Sequence, residues 1–292
     1  MHANAAPRST LARLQGLFVL LRPRQWVKNV FVLAPLLFTG QFIHATAIVD
    51  SLFAMAIFCL ASSACYIVND LHDIERDRRH PKKSLSRPLA SGVVPIPLAL
   101  AALALLYLLL AFSWWSFPRV LPVIAGYLLI NLAYTFALKH QPVIDIFTVA
   151  TGFVLRVYAG AMALNVPVSA WMFVTTLCLA LYLAAVKRRQ ELANHGGGSR
   201  EVLGHYTPAL IDRYAEMAAT GALLFYSLFV MQTRPELVLT IPLVLFGLYR
   251  YWFIVEARDE GESPTDALLG DWQLQVTVLI WCAACAHALW PN

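Results

Sequence analysis

Nine long apolar stretches, divided by short polar connections, dominate this sequence and restrict the folds it can adopt. Each is close to the roughly 17 to 25 residues that a helix needs to cross a bilayer. Charged residues make up 13% of the chain, against about 25% in a soluble domain. We therefore predict an all-α integral membrane protein. The stretches are residues 30–47, 51–68, 98–115, 120–138, 143–163, 170–186, 215–231, 237–254 and 274–290.

The basic residues are concentrated in alternate connections. Of the 22 Lys and Arg residues, 19 precede the first stretch or fall at every second connection. Because cytoplasmic loops carry the Lys and Arg excess, this pattern predicts nine transmembrane helices with the N-terminus in the cytoplasm. We expect a multi-pass protein of the cell inner (plasma) membrane, with a cytoplasmic amphipathic segment at residues 1–25 and a transmembrane domain at residues 26–292.

Charge and cysteine content exclude several classes of function. The net charge of +5 is explained by the cytoplasmic loops and by anionic membrane lipid, so nucleic acid is not an expected partner. The five cysteines lie in or beside apolar stretches and imply no disulfide framework. The sequence leaves open whether the chain forms a homo-oligomer.

An acidic motif follows the second stretch, in the run Asn69-Asp70-Leu71-His72-Asp73-Ile74-Glu75-Arg76-Asp77. On a continuous helix, Asp70, Asp73 and Asp77 lie within roughly 60° of one another on one face. Crowded carboxylates are unfavourable unless a cation offsets them, and hard oxygen ligands suit Mg²⁺. We predict that these three residues are metal ligands and form the catalytic centre. The alternative is a solvated, charged helix end.

A dense basic loop comes directly after the acids. Positive charge alone could bind a membrane surface, but acids for a metal next to bases for phosphate oxygens predict a Mg²⁺-diphosphate site. The basic residues are Arg76, Arg78, Arg79, Lys82, Lys83 and Arg87.

The acidic motif, followed by Arg87-Pro88-Leu89-Ala90-Ser91-Gly92 in a chain with nine apolar stretches, resembles the UbiA superfamily of intramembrane prenyltransferases. The resemblance covers essentially the whole chain. It implies a UbiA-like helical bundle as the transferase domain over residues 26–292, with the active site at the cytoplasmic mouth.

The sequence departs from most of that superfamily after the sixth stretch. A second acidic motif is usual there, but this chain has Lys187-Arg188-Arg189-Gln190-Glu191-Leu192. The departure is similar to the decaprenyl-phosphate phosphoribosyltransferases, and four further motifs support that branch. They are Arg22-Pro23-Arg24-Gln25-Trp26-Val27-Lys28-Asn29, His80-Pro81-x-Lys83, Tyr134-x-x-x-Leu138-Lys139-His140 and Pro264-Thr265-x-x-Leu268-Leu269-x-Asp271.

The branch resemblance implies transfer of 5-phosphoribose from phosphoribosyl diphosphate (PRPP) to a long polyprenyl phosphate of the decaprenyl type. Diphosphate is released, and the product is a lipid-linked pentose precursor for cell-envelope glycan such as the arabinogalactan of the cell wall. The acceptor is already an anion, so the reaction needs no general base; it needs positive charge that gathers two anionic substrates.

Substrate contacts are expected from residues of the acidic motif, the basic loop and the later basic groups. Which group binds the 5-phosphate of PRPP and which binds the lipid phosphate is left open. The candidates are Lys28, Asn69, Arg76, Lys82, Lys83, Arg87, Tyr134, Lys139, Arg156, Lys187, Arg188, Arg189 and Glu191.

Three of these candidates have structural alternatives. Arg156 lies inside the fifth stretch, where a charge is costly, so it is expected to face the bundle interior. There it binds the lipid phosphate or diphosphate, or it pairs with Asp145 or another acid. Lys28 could extend to lipid headgroups. Glu191 could offset the neighbouring arginines or bind ribose hydroxyls.

Two other functions remain open. A UbiA-type prenyltransferase that uses an isoprenyl diphosphate and an aromatic or other small acceptor keeps the fold, but the missing second acidic motif counts against it. A lipid-phosphate transporter would explain Arg156, but the sequence lacks the inverted repeats expected of secondary transporters.

Overall fold

The structure, a computed structural model, describes residues 9–81, 83–195, 201–258 and 264–290. All the regular elements in these ranges are helical. The α-helices are α1 (Thr10–Leu20), α2 (Ala34–Phe38), α3 (Ala45–His72), α4 (Ile74–Arg79), α5 (Lys83–Ser86), α6 (Ile96–Phe112), α7 (Leu121–Phe136), α8 (Ile144–Leu164), α9 (Ala170–His195), α10 (Pro208–Thr233), α11 (Ile241–Arg258), α12 (Pro264–Gly270) and α13 (Trp272–Ala288).

Five segments in the described ranges are long and apolar enough to cross a membrane, namely Ala45–His72, Ile144–Leu164, Ala170–Ala193, Pro208–Thr233 and Pro235–Glu256. Two shorter apolar helices, Ile96–Phe112 and Leu121–Phe136, lie at predicted spans. The helical class is therefore confirmed, while the count of nine spans and the orientation of the N-terminus stay predictions.

The first predicted span differs most from expectation, because it is not one helix. Residues 30–47 cover the end of a 3-10 helix over Pro23–Leu33, the short helix α2, a second 3-10 helix over Gln41–Ile43 and the first residues of α3. Pro35 cannot donate a backbone hydrogen bond to the preceding turn. Gly40, with φ of 71°, supplies the left-handed conformation that ends α2 and redirects the chain.

Helix α8 is the central element of the bundle. It packs against α3, α7, α9, α2 and the 3-10 helix Pro23–Leu33. The close approach of that 3-10 helix depends on Gly160, where a Cβ atom would collide with the backbone carbonyl of Val32. Helices α9 and α10 form the most extensively packed pair.

The predicted N-terminal segment is represented by α1 and the start of the 3-10 helix. Helix α1 packs through Gly16 onto Val93 and Val94 and exposes Leu14 and Phe18. The 3-10 helix runs across residue 25, so the boundary between segment and domain stays a prediction.

Candidate active site

A cavity of about 280 Å³ opens where α3 ends and α4 begins, at what we call the motif end of the bundle. Its walls come from residues 22–28, α3, α4, the basic loop, α7 and the segment that follows it, α8 and α9. Eight Lys and Arg residues line it: Arg22, Lys28, Arg76, Lys83, Arg87, Lys139, Arg156 and Lys187. Two carboxylates, Asp73 and Asp77, line it as well.

The acidic motif is divided by a break in the helix. Helix α3 ends at His72, Asp73 has φ −91° and ψ 7°, and α4 begins at Ile74. The single face predicted for Asp70, Asp73 and Asp77 required one continuous helix. The structure therefore places the three acids in two different environments.

Asp70 and Asp77 share one cationic partner. The Arg87 guanidinium donates through Nη1 to Asp70 Oδ1 at 2.9 Å and also to Asp77 Oδ2. Arg22 donates to the same Asp70 oxygen at 2.6 Å, and its guanidinium lies 4.7 Å from the centre of the Tyr66 ring. Asp70 is only 2% exposed and does not line the cavity.

Asp73 has a different cationic partner, Lys139, which lies on the segment that follows α7. The Lys139 Nζ lies 2.9 Å and 3.2 Å from the two carboxylate oxygens of Asp73. Burial alone would raise the pKa of the Asp73 carboxyl, but hydrogen bonds and charges from Lys139 and His72 outweigh it and lower that pKa. Asp73 is therefore held ionised at the cavity wall.

The oxygen donors on the cavity wall fit a Mg²⁺ ion that takes few protein ligands and completes its coordination with phosphate oxygens and waters. Within the described ranges, no group of three or more His, Cys, Asp or Glu side chains is placed to hold a metal. Mg²⁺ commonly uses only one or two carboxylates and completes its shell with phosphate oxygens and waters. The wall carries two carboxylates, Asp73 and Asp77, and the amide of Asn69, which is the kind of donor set that Mg²⁺ uses in this way.

Arg156 lies at the far end of the cavity and faces the bundle interior, as expected. Its Nε donates to Asn29 Oδ1 at 2.8 Å, and its Nη1 donates to the Gly152 carbonyl oxygen at 2.7 Å. Its Nη2 is 3.3 Å from the Tyr127 hydroxyl. The expected alternative, an ion pair with Asp145, is not formed.

Three aromatic rings complete the surroundings of the Arg156 guanidinium. The rings of Phe58, Tyr127 and Phe153 have their centres 4.9, 5.1 and 5.2 Å from its central carbon. Such faces attract a desolvated cation without neutralising its charge. Arg156 therefore keeps its full positive charge for an anion in the cavity.

The basic group at the end of α9 is distributed over three environments. Lys187 lines the cavity. Arg188 is buried and donates to Asp145 Oδ2 at 2.6 Å and to Glu191 Oε2 at 2.7 Å. Arg189 pairs with Asp212 and Glu256. Of this group, only Lys187 meets the cavity.

The structure brings most of the predicted site residues together. Those on the cavity wall are Lys28, Asn69, Asp73, Arg76, Asp77, Lys83, Arg87, Tyr134, Lys139, Arg156 and Lys187. Asp70, Arg188, Arg189 and Glu191 are not on the wall, and Lys82 lies outside the described residues. Their assignment to the site stays a prediction.

Several wall residues escaped the sequence analysis. Arg22 lies in the motif Arg22–Asn29 that supports the branch resemblance, and that motif was the available signal. Asn131, Thr135 and Thr148 are single polar residues in apolar helices, which the sequence alone does not distinguish from residues that bond their own backbone.

The sequence matches the UbiA prenyltransferase family over residues 32–268. The chain belongs to the UbiA prenyltransferase family. This UbiA-family chain is 36% identical to the decaprenyl-phosphate phosphoribosyltransferase of Corynebacterium glutamicum, over 94% of the chain and 88% of the relative. It is 34% identical to the decaprenyl-phosphate phosphoribosyltransferase of Mycolicibacterium smegmatis, over 98% of the chain and 96% of the relative.

The fold of the UbiA-family chain is also found among solved structures. A UbiA homolog from Archaeoglobus fulgidus, bound to GPP and Mg²⁺, superposes with a TM-score of 0.72 at 19% identity, covering 94% of this chain and 99% of that one. At that identity the likeness establishes the fold. The predicted family is therefore confirmed, and the chain is an integral membrane enzyme.

Proposed function

We propose that this protein transfers 5-phosphoribose from PRPP to a long-chain, decaprenyl-type polyprenyl phosphate and releases diphosphate. The observation that carries the proposal is the charge of the cavity, where eight Lys and Arg residues stand against two carboxylates. Both substrates are polyanions, and a cationic cavity concentrates and orients such ligands. The identity to two named decaprenyl-phosphate phosphoribosyltransferases supports the same reaction.

In the proposed reaction, the bond between ribose C1 and the diphosphate oxygen breaks while a lipid phosphate oxygen bonds to C1 from the opposite face. Positive charge develops on the sugar, and negative charge develops on the leaving diphosphate. Arg87, Lys139 and Lys83 surround the motif acids and can stabilise that leaving group. The acceptor oxygen carries no proton that must be removed, so no general base is required.

Mg²⁺ is the proposed cofactor, and it would neutralise the charge that develops on the leaving diphosphate. Asp73 and Asp77 are the proposed ligands on the cavity wall, and Asp70 supports Asp77 through their shared partner Arg87. Arg87 and Arg22 would have to move from Asp70 before it could bind metal itself. Asp70 is therefore proposed as a ligand only after such a rearrangement.

We also propose the cellular setting. The motif end faces the cytoplasm, where PRPP is available, in an inner membrane crossed nine times. The product is then a lipid-linked pentose for cell-envelope glycan such as arabinogalactan. Arg188, Arg189 and Glu191 are proposed to support Lys187 at the cavity wall, with substrate contacts of their own dependent on rearranged ion pairs.

One assay tests the reaction. Purified protein is incubated with Mg²⁺, PRPP labelled in the ribose and polyprenyl phosphate in mixed micelles, and the label is followed into the lipid phase. Transfer of the label, dependent on both substrates, is the expected result. A parallel incubation contains an isoprenyl diphosphate and an aromatic acceptor, the substrates of the alternative prenyltransferase. The proposal is wrong if the label stays aqueous in the first incubation while the isoprenyl diphosphate is consumed in the second.

A further inference from the structure

A second, smaller pocket adjoins the cationic cavity. It has a volume of about 140 Å³ and shares three wall residues with the cavity: Cys65 on α3 and Asn131 and Thr135 on α7. The rest of its wall is apolar or aromatic and consists of Val68, Tyr107, Leu128, Leu129 and Leu132. The two spaces therefore meet along one stripe of α7.

The pocket lies between α6 and α7, with α3 behind it. Both helices pack against α3, and they meet in a hydrophobic cluster that includes Leu110 and Ile124. Tyr107 and Leu128 lie about one helical turn from these cluster residues, toward the motif end. A gap thus remains between α6 and α7 beside the cavity.

The outer rim of this gap is exposed on the surface of the bundle. Tyr107, Leu129 and Leu132 are 41%, 67% and 45% exposed on helices that lie at predicted spans. Along α7 the side chains therefore change from polar at Asn131 and Thr135 to apolar at the rim. A ligand with an anionic head and a hydrocarbon tail matches this sequence of surfaces.

We propose that the isoprenoid tail of the lipid phosphate acceptor leaves the cationic cavity through the gap between α6 and α7. The proposal rests on the proposed function, which supplies an acceptor of this chemistry. Ligand pockets usually have about 300 to 1,000 Å³, so a space of about 140 Å³ holds the part of the tail nearest the phosphate. The remainder of the tail lies in the bilayer, along the exposed sides of α6 and α7.

The path also brings the acceptor phosphate close to Arg156. Asn131 donates to the Tyr127 carbonyl oxygen at 2.8 Å, and the Tyr127 hydroxyl is 3.3 Å from Arg156. In the proposed route, a tail held between α6 and α7 has its phosphate beside Asn131, about one helical turn from the residue whose hydroxyl contacts Arg156. PRPP is left with the carboxylates at the motif end.

Another apolar pocket offers a rival route and serves as a control. It has about 150 Å³ and lies among α2, α9, α10, α11 and α13. No described residue lines both this pocket and the cationic cavity. The rings of Phe31 and Phe153, with centres 5.2 Å apart, stand between the two spaces.

The first test narrows each pocket. Leu132→Trp fills the gap between α6 and α7, and Leu179→Trp is the matched control in the rival pocket. Overpacking predicts that Leu132→Trp lowers kcat/KM about tenfold for a long polyprenyl phosphate, with much less effect on a one-unit isoprenyl phosphate and none on the KM for PRPP. Equal loss with both acceptors, or a selective loss only in Leu179→Trp, would overturn the proposal.

The second test uses the unaltered protein and a polyprenyl phosphate that carries a photoreactive diazirine in its second isoprene unit. Crosslinks to α6 and α7 are expected, and crosslinks to α9, α10 or α13 would contradict the route. Transfer of ribose phosphate with crosslinks elsewhere rejects the route alone. Crosslinks to α6 and α7 without transfer support the route and reject the proposed reaction.

Discussion

Arg87 shows how the acidic motif is neutralised within the chain itself. The crowded carboxylates predicted a bound cation, and in the structure the guanidinium of Arg87 bonds to both Asp70 and Asp77. Lys139 does the same for Asp73. The arginine and lysine therefore hold the acids in place, and they are also positioned to bind the diphosphate oxygens of a substrate.

The first prediction at this scale concerns Asp73. Asp73→Asn keeps the shape of the side chain but removes the charge that faces Lys139 and the cavity. We expect turnover to be abolished while the protein stays folded, as measured by the PRPP assay and by thermal unfolding in detergent. Glu75→Gln is the control, because Glu75 is exposed and pairs only with Arg78 in the described structure. Near-normal activity of Asp73→Asn would remove Asp73 from the metal shell.

The second prediction concerns pH. Burial, and then the charges of Arg156 and Arg22, lower the pKa of Lys28 from 10.5 to about 8, while Asp266 acts in the opposite direction. Lys28 therefore loses its charge as the pH rises through about 8, and kcat/KM, which reports the free enzyme, should fall above that pH. In Lys28→Arg, kcat/KM should stay constant to higher pH, since the pKa of arginine is above about 12. The same decline in both proteins would exclude Lys28 as its cause.

The types of side chain at the site were more predictable from the sequence than the ion pairs that these side chains form. The types and spacing of Asp73, Asp77, Lys83 and Arg87 indicated a diphosphate site, and all four line the cavity. Their partners depend on the break at Asp73 and on Lys139, which lies 66 residues away in the chain. Such long-range contacts leave no local pattern in a single sequence.

At the scale of elements, the first predicted span shows that hydropathy does not predict the type of helix a segment forms. Its apolar composition indicated membrane residence, but the backbone is divided among two 3-10 helices, α2 and the start of α3. The 3-10 helix Pro23–Leu33 and α2 both pack against α8. Long 3-10 helices are uncommon. This one lies in close contact with α8 because Gly160 has no side chain. A single glycine in an apolar helix does not predict such a contact from the sequence.

Gly160→Ala tests that packing. The added methyl would collide with the Val32 carbonyl, so we expect a loss of about 1–3 kcal/mol in the free energy of unfolding. Gly126→Ala in α7 is the matched control, because a Cβ there meets nothing within 4 Å and alanine favours helix by up to about 1 kcal/mol. Equal effects of the two substitutions on thermal unfolding would contradict the close contact.

The ion pair between Asp145 and Arg188 joins α8 to α9. Its removal tests a second contact between helices. Both residues are almost fully buried, so Arg188→Met leaves the Asp145 carboxylate without its cation. Removing one partner of a buried pair costs about 3–5 kcal/mol, which denaturation in mixed micelles would measure. Part of the loss should be recovered in the double variant Asp145→Asn/Arg188→Met.

The control for the buried pair is Arg78→Met. Arg78 and Glu75 form an exposed pair, and exposed pairs contribute about 1 kcal/mol or less. If Arg188→Met destabilises the protein no more than Arg78→Met does, the link between α8 and α9 is not structural. The Tyr206 hydroxyl, 2.8 Å from Asp145, would then be the main partner of that carboxylate.

At the scale of the whole molecule, the distribution of charge predicts how the bundle is oriented in the membrane. The basic residues gather around the motif end, while Arg119 and Arg234 are the two that fall in connections predicted on the other side. Membrane residence and family followed from the sequence because hydropathy and motifs are local. The placement of the cavity depended on how distant helices pack.

The predicted orientation can be measured by thiol labelling in a variant without the native cysteines. Ser116→Cys, after α6, should react with a membrane-impermeant maleimide in intact spheroplasts. Ser86→Cys, in the basic loop, should react only after the membrane is permeabilised. Both serines are exposed, so access to the reagent depends on the side of the membrane. If Ser86→Cys reacts in intact spheroplasts and Ser116→Cys reacts only after permeabilisation, the predicted orientation is wrong and the opposite one is correct.

The surroundings of Arg156 have a consequence for the activation free energy of the proposed reaction. Asn29, Gly152 and Tyr127 fix this guanidinium within the bundle, and three aromatic rings pack around it. In bulk solvent, dipoles must turn each time charge moves from one atom to another. Here that reorientation is completed when the chain folds, so an arriving phosphate meets a static field.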